Sequence, residues 1–342
     1  MPRTGRHPLK DSNLLMDELE IQSVTITTIT HIPVLEGYWQ DSLEVLKLFF
    51  ESLRASTQMP FDLMVFDNAS CREVTDYLSG LKEAGHIQYL LLSDRNFRKL
   101  GALDFLLRSA PGEYVAYADS DVYFLPGWLE KSLEVLRTFP QAGMVSALPT
   151  VDKSDRFIAS TLAGIANDPM VSVEKEPNLV PEAYVRAHQL SLGKDPTALI
   201  SAERTDTRLT RSGVSAFLSA QDFQFLTRRG VIERVLPLSG DDEQLNYDPI
   251  YSPVFEAKVD RAGFWRLSTC DYLVHHMGNQ VPGLAGELKD IAPELDFDES
   301  KDRATATQDQ HKRFRLSERW LIRKVLKKIY TWSYMQLFEN KR

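Results

Sequence analysis

Residues Gly112–Trp128 read GEYVAYADSDVYFLPGW, and this stretch decides the fold of the chain. The apolar run YVAYA follows the turn residues Pro111 and Gly112 and ends at two carboxylates, Asp119 and Asp121. A run this short, bounded by turn residues, is typical of a strand buried on both faces of a parallel sheet. Ligands of open α/β sheets bind beyond the carboxyl ends of such strands. The aspartates can therefore offer oxygen ligands to Mg²⁺ or Mn²⁺, although acidic residues here also cap turns.

Composition excludes several classes of protein. The net charge of -8 over 342 residues argues against general nucleic-acid binding. Two cysteines, Cys71 and Cys270, form neither a disulfide framework nor a metal-knuckle spacing. No apolar run approaches the length of a membrane span. Residues 1–20 form a polar arm without the apolar segment of a secretory signal, so the expected location is the cytoplasm.

Strands and helices alternate over residues 21–150. This alternation predicts an α/β fold with a doubly wound, mostly parallel sheet flanked by helices. The predicted strands are Ser23–Thr30, Phe61–Phe66, Ile87–Leu92, Tyr114–Ala118 and Gly143–Leu148, and the predicted helices begin near Asp41 and Ser70 and span Leu100–Arg108 and Trp128–Phe139.

The second half of the chain is less regular. Weak periodicity and recurring prolines over residues 151–212 predict a loop insertion, either a lid or a disordered segment. Beyond it, the patterns predict a strand at Ser215–Ser219, a helix at Gln221–Arg229 and a late strand at Phe264–Tyr272. Residues 286–342 are interpreted as an acidic linker followed by a basic amphipathic helix.

That C-terminal helix has two interpretations. Over residues 313–338, apolar pairs alternate with basic pairs at helical spacing, and aromatic residues such as Trp320 and Trp332 are interspersed. This pattern is typical of a helix on an anionic membrane surface, which would place the protein at the inner face of the membrane. The other interpretation is a helix docked on the catalytic domain or on a second subunit of a homodimer.

Four polar clusters stand at the ends of predicted elements. They are Asp67–Ser70, Asp119–Asp121, Gly240–Glu243 and the pair His275–His276. The first two are expected at the carboxyl ends of neighbouring parallel strands, where a nucleotide binds in folds of this class.

The motifs that contain these clusters resemble those of the GT-A fold glycosyltransferases, most like glycosyltransferase family 2. The resemblance extends from about residue 22 to residue 280. It rests on VFDNAS at 65–70, RNFRKLGAL at 95–103, EYVAYADSDV at 113–122, GDDEQL at 240–245, DRAGFW at 260–265 and HHMGN at 275–279. The first strand departs from the family pattern, because it ends ITTITHIP without the usual proline–threonine pair.

The resemblance implies a site for a nucleotide-diphosphate sugar, UDP- or GDP-linked. Asp67 would contact the base with help from a hydroxyl near Thr30, Arg98 and Lys99 would meet the diphosphate, and Asp119 would bind the ribose. The implied donor-binding residues are Thr30, Asp67, Asn96, Arg98, Lys99, Asp119 and Ser120.

The resemblance also implies a bound Mn²⁺ or Mg²⁺. Asp121 would ligate the ion, and Asp119 would bind it directly or through its water shell. A histidine would complete the coordination, with His276 favoured over His275 because the segment that follows it matches the family pattern. The ion would neutralise charge on the departing nucleoside diphosphate.

Asp242 is the predicted general base of an inverting hexosyl transfer, with Asp241 and Glu243 on the acceptor side. Residues 21–150 would then bind the donor, and residues 151–285 would bind a saccharide or lipid-linked acceptor of polysaccharide or glycolipid biosynthesis. Two alternatives stay open: a retaining transferase on the same fold, and a non-catalytic nucleotide-sugar-binding subunit. A nucleotidyltransferase would need a glycine-rich loop bearing arginine after the first strand, and THIPVLEG does not supply one.

Overall fold

The structure is a computed structural model, and it describes residues 21–151, 157–200, 204–238, 253–281 and 283–291. The predicted N-terminal arm and the predicted amphipathic helix at 313–338 lie outside these residues. The strands are β1 Val24–Thr30, β2 Asp62–Asn68, β3 Tyr89–Ser93, β4 Tyr114–Asp119, β5 Val122–Phe124, β6 Ala142–Ser146, β7 Ser172–Pro177, β8 Thr205–Arg211, β9 Val214–Leu218, β10 Gln224–Arg228, β11 Trp265–Ser268 and β12 Val274–His276.

The helices lie between these strands along the chain. They are α1 Ser42–Ser56, α2 Arg72–Glu83, α3 Arg98–Ser109, α4 Trp128–Thr138, α5 Ala159–Asn167, α6 Glu182–Ser191, α7 Thr197–Ile200, α8 Arg229–Val235, α9 Val254–Arg261 and α10 Leu284–Ile291, and a 3₁₀ turn spans Gly37–Trp39. The predicted α/β class is confirmed by the described residues.

Within the described part of the chain, ten strands form one sheet in the order β3-β2-β1-β4-β10-β6-β11-β9-β8-β7, and β5 pairs separately with β12. Strands β3, β2, β1 and β4 are parallel, as is the pair β6–β11, whereas β10 runs antiparallel between β4 and β6. The sequence had suggested that β2 and β4 are neighbouring strands, but β1 lies between them, and their carboxyl ends flank that of β1.

The central strands are buried on both faces, which explains their continuous apolar runs. In β4, Ala116 and Ala118 face the core layer beneath α1, α2 and α4, while Val115 and Tyr117 face the layer beneath α3, α8 and α9. The sheet is therefore a middle layer between two layers of helices, and its strand ends are fixed from both sides.

Two expectations for the second half of the chain are wrong. The segment Gln221–Arg229, predicted to be a helix, largely forms the strand β10. Helix α8 begins at Arg229, the last residue of that segment. Phe225 and Leu226 pack into opposite core layers, so burial on both faces overrides the weak helical pattern. The segment 151–212, expected to be an irregular loop insertion, contains α5, α6, α7, β7 and β8 in its described parts.

Candidate active site

Parallel pairing places the predicted donor residues at one edge of the sheet. In the register of β1 with its two neighbours, Thr30 lies beside Asp67 and Ile29 lies beside Asp119. Ser120 and Asp121 form the turn that follows β4. The carboxyl ends of three adjacent strands thus bring Thr30, Asp67 and Asp119 to a common edge.

Asp67 and Thr30 carry buried polar atoms that are not satisfied within the protein. Asp67 is 1% exposed; its Oδ2 accepts a hydrogen bond from the backbone N–H of Ser70 at 3.1 Å. Its Oδ1 and the hydroxyls of Thr28 and Thr30 find no partner among the described residues. Burial raises the pKa of Asp67, with the bonds from Ser70 acting in the opposite direction. Buried polar groups are normally hydrogen-bonded, so this set is suited to a polar ligand.

The loop before α3 is held by a network of amides that sequence reasoning did not identify. Asn68 accepts a hydrogen bond from the N–H of Phe97 at 2.7 Å and donates one to Asn96 Oδ1 at 3.1 Å. The imidazole of His31 lies 2.8 Å from the carbonyl of Asn68 and 3.1 Å from the amide nitrogen of Asn96. Asn96 therefore shapes this loop, and His31, the residue that follows β1, joins the same network.

Arg98 and Lys99 differ in their positions. Arg98 is exposed at the start of α3 and adopts a φ of +57°, which the hydrogen bond from its N–H to Asn96 stabilises. Lys99 lies 2.8 Å from Asp119 Oδ2, and the hydroxyl of Tyr117 donates to Asp119 Oδ1.

Lys99 and Asp119 each stabilise the charged form of the other. Burial acts to lower the pKa of Lys99, but Asp119, together with Tyr117 and Asp222, outweighs it, so the pKa lies well above its ordinary value. Burial raises the pKa of Asp119, and Lys99 opposes that rise. Lys99 therefore fixes the position of Asp119 in this structure. The sequence analysis had instead expected Lys99 to contact the diphosphate.

Asp121 and His276 meet across the small β5–β12 sheet. The Nε2 atom of His276 lies 3.3 Å from Asp121 Oδ2, and the N–H of Met277 donates to the Asp121 carbonyl at 2.8 Å. Asp121 Oδ1 and His276 Nδ1 have no hydrogen-bond partner among the described residues. Burial acts to raise the pKa of Asp121, but His276 lowers it below its ordinary value. Conversely, Asp121 overcomes the effect of burial and raises the pKa of His276 to about 9.

His275 occupies a different environment. Its side chain is fully buried, and its Nδ1 lies 2.9 Å from the hydroxyl of Tyr272. Successive side chains of a strand point to opposite faces, so the two histidines separate. The structure therefore brings His276, and not His275, to Asp121.

A pocket beside Lys99 contains two carboxylates that the sequence did not single out, Asp222 and Glu256. The pocket is small, with a cavity volume of about 20 Å³, which is room for one water molecule or hydroxyl group. It is lined by Lys99, Leu100, Leu103, Asp222, Phe225, Phe255 and Glu256. Asp222 precedes β10, and Glu256 lies in the first turn of α9, so chain segments far apart in sequence build this pocket.

The predicted base and acceptor residues, Asp242, Asp241 and Glu243, lie outside the described residues, and their roles stay predictions. Among the residues that are described, no cluster of three or more histidine, cysteine, aspartate or glutamate side chains is arranged to hold a metal ion. No helix in the same residues has both the length and the apolar character needed to cross a membrane.

Comparison with known proteins supports the resemblance drawn from the motifs. The profile of glycosyl transferase family 2 matches residues 39–183. The uncharacterized glycosyltransferase alr2836 of Nostoc sp. is 27% identical over 124 residues, which are 36% of this chain and 38% of that protein. The match thus spans well under two thirds of that relative.

Solved structures of low sequence identity are also similar. Mannosyltransferase PcManGT from Pyrobaculum calidifontis, in complex with GDP-Man and Mn²⁺, is 15% identical with a TM-score of 0.44, covering 86% of this chain and 67% of its own. Residues 1–349 of S. aureus TarS are 12% identical with a TM-score of 0.40, covering 82% and 68%. Residues 39–183 are thus similar to glycosyl transferase family 2, in agreement with the motifs.

Proposed function

We propose that the protein transfers a sugar from a nucleotide-diphosphate sugar to an acceptor hydroxyl, with a divalent metal ion. The observation that carries this proposal is the set of unsatisfied buried atoms at the ends of β1 and β2, close to the acidic turn after β4. Asp67 Oδ1 and the Thr30 hydroxyl would hydrogen-bond the donor's nucleoside. Leaving buried polar groups without a hydrogen bond costs free energy, and a ligand that bonds to them removes this cost.

Asp121 and His276 fit a divalent ion. A carboxylate oxygen suits Mg²⁺ or Mn²⁺, and an imidazole nitrogen lies beside it at 3.3 Å. Two protein ligands are sufficient where phosphate oxygens and water supply the others, as is usual for Mg²⁺ bound with a nucleotide. When bound, the ion would neutralise negative charge on the leaving nucleoside diphosphate.

The remaining donor residues act by position. Lys99 holds Asp119 at the edge of the sheet, so that Asp119 can accept a hydrogen bond from the ribose or from water on the metal. Arg98 and Asn96 would border the diphosphate from the start of α3, and Ser120 would border it from the turn after β4.

For the transfer step, we propose that Asp242 takes the proton of the acceptor hydroxyl as this attacks the anomeric carbon, so that the configuration inverts. Asp241 and Glu243 would lie near the acceptor, a saccharide or a lipid-linked saccharide. A lipid-linked acceptor would be consistent with membrane-surface contact through residues 313–338.

The proposal is tested by release of nucleoside diphosphate from UDP-, GDP- and dTDP-sugars, with water as the acceptor. We expect release from one donor, stimulated by Mn²⁺ or Mg²⁺ and abolished by EDTA. Asp121→Ala should abolish release, whereas Asp76→Ala, at an exposed position of α2, should not change it. Absence of release from every donor would overturn the proposal.

The stereochemistry is tested on the released sugar. Nuclear magnetic resonance of the fresh product should show the anomeric configuration opposite to that of the donor. The same configuration as in the donor would support the retaining alternative and remove the role of Asp242 as base.

A further inference from the structure

We propose that the pocket formed by Asp222, Glu256 and Lys99 recognises a hydroxyl-bearing edge of the transferred sugar, and that the two carboxylates determine which sugar is accepted. This inference rests on the proposed function, because it concerns the sugar of the same donor. Its substrate class is a neutral sugar with a free hydroxyl at the recognised position.

The position of the pocket supports this role. Lys99 lines the pocket and also pairs with Asp119 at 2.8 Å, so the pocket adjoins the acidic turn where the diphosphate is proposed to bind. A sugar attached to that diphosphate would be within the same part of the molecule. The pocket is therefore contiguous with the donor site and separate from the Asp67–Thr30 end.

The lining of the pocket also suits a sugar. Phe225 and Phe255 stack with ring centroids 4.6 Å apart and form an apolar wall, while Asp222 and Glu256 supply acceptors for hydroxyl hydrogens. Sugar rings have polar edges, and a pocket of this size would admit one hydroxyl of such an edge and pair it with a carboxylate, as ligand sites orient a substrate with a few placed polar groups.

Glu256 is a buried carboxylate in the lining of the pocket. It is 2% exposed, so its side chain is almost wholly withdrawn from bulk water. The positive charge of Arg266 acts on it, and Arg266 also donates hydrogen bonds to the carbonyls of Phe157 and Ala220. A buried carboxylate depends on hydrogen bonds, and a sugar hydroxyl that entered the pocket would add one.

The charge of the pocket determines selectivity. Burial and the neighbouring charge of Asp222 raise the pKa of Glu256 to about 7, with Arg266 opposing. Both the protonated and the ionised carboxyl can bond a hydroxyl, which donates and accepts. A uronic acid would add a third carboxylate to this pocket and would be repelled. A deoxy sugar would not form the hydrogen bond to Glu256, and sites built to bond a hydroxyl reject such analogues strongly.

The test is calorimetric titration with UDP, GDP and dTDP and with their neutral sugar conjugates, in the presence of Mn²⁺. We expect Asp222→Asn and Glu256→Gln to weaken binding of the preferred nucleotide sugar about tenfold, roughly one lost hydrogen bond. Binding of the corresponding nucleoside diphosphate should stay within about twofold of the wild type. Glu134→Gln, at an exposed position of α4, is the matched control and should change neither affinity.

The outcomes separate this inference from the proposed function. If the variants bind the nucleotide sugar as the wild type does, or lose affinity for sugar nucleotide and nucleoside diphosphate equally, the inference is wrong while the donor site stands. If the wild type binds no nucleotide, the proposed function fails and this inference fails with it. Asp222 is only partly buried, so Asp222→Asn provides the test even if Glu256→Gln does not fold.

Discussion

Replacing Glu256 with glutamine should remove a pH dependence from the stability of the protein. Burial raises the pKa of Glu256 from its ordinary value of 4.5 to about 7, mainly by desolvation and secondarily by Asp222. Arg266 and Lys99 act in the opposite direction. Because the folded state holds this proton more tightly than the unfolded state, the protonated carboxyl favours folding.

The sign and size of the effect follow from these two pKa values. The stabilisation is fully present below pH 4.5, declines as the pH rises and is lost above about pH 7. Each pH unit in this interval corresponds to about 1.36 kcal/mol, so the whole interval corresponds to about 3 kcal/mol of unfolding free energy. Glutamine does not titrate, and Glu256→Gln should lack this decline.

The assay is urea denaturation of wild type and Glu256→Gln at several pH values from 4 to 9. The wild-type free energy of unfolding should fall relative to that of the variant by about 3 kcal/mol across this range. Asp222→Asn should reduce the decline, since it removes a charge that raises the pKa of Glu256, and Glu134→Gln should leave it unchanged. Parallel profiles for wild type and Glu256→Gln would refute the reasoning.

Further substitutions test other parts of the protein. Gly164→Ala should lower the free energy of unfolding by about 1–3 kcal/mol in denaturation experiments, because its Cβ would lie 2.2 Å from the indole nitrogen of Trp265. The same change at Gly80, where nothing lies within 4 Å, should be neutral or stabilising, and equal losses at both glycines would contradict this explanation. Asp67→Asn should weaken nucleoside diphosphate binding about tenfold by calorimetry, and unchanged affinity would exclude Asp67 from the donor site. Asp242→Asn should leave donor binding intact and remove sugar transfer; retained transfer would show that another group is the base.

The parallel half of the fold could be predicted from the sequence because its signals are local. The run before Asp119 is apolar on both faces. The polar residues that end β2 and β4 mark the edge of the sheet that these strands share with β1. The separation of His275 from His276 follows from the alternation of a strand, although only the β5–β12 pairing identifies which of them faces Asp121.

The other half could not be predicted because its signals depend on distant pairing. Strand β10 is a strand since it lies between β4 and β6, and its own sequence favoured a helix. The pocket that contains Asp222 and Glu256 could not be predicted either. No recognisable motif surrounds these two residues, and only the fold brings their chain segments together. His31 is similar: its part in the amide network depends on Asn68 and Asn96, which follow later in the chain.

The most direct test of the proposed donor site is thermal unfolding of the wild type and Asp121→Ala with UDP, GDP and dTDP, each with Mn²⁺ and with EDTA. A ligand that binds the native state alone raises the melting temperature by mass action. We expect one nucleoside diphosphate to raise the melting temperature of the wild type when Mn²⁺ is present, and to have no such effect on Asp121→Ala. An unchanged melting temperature with every nucleotide, with or without the metal, would contradict a metal-dependent nucleotide-sugar site.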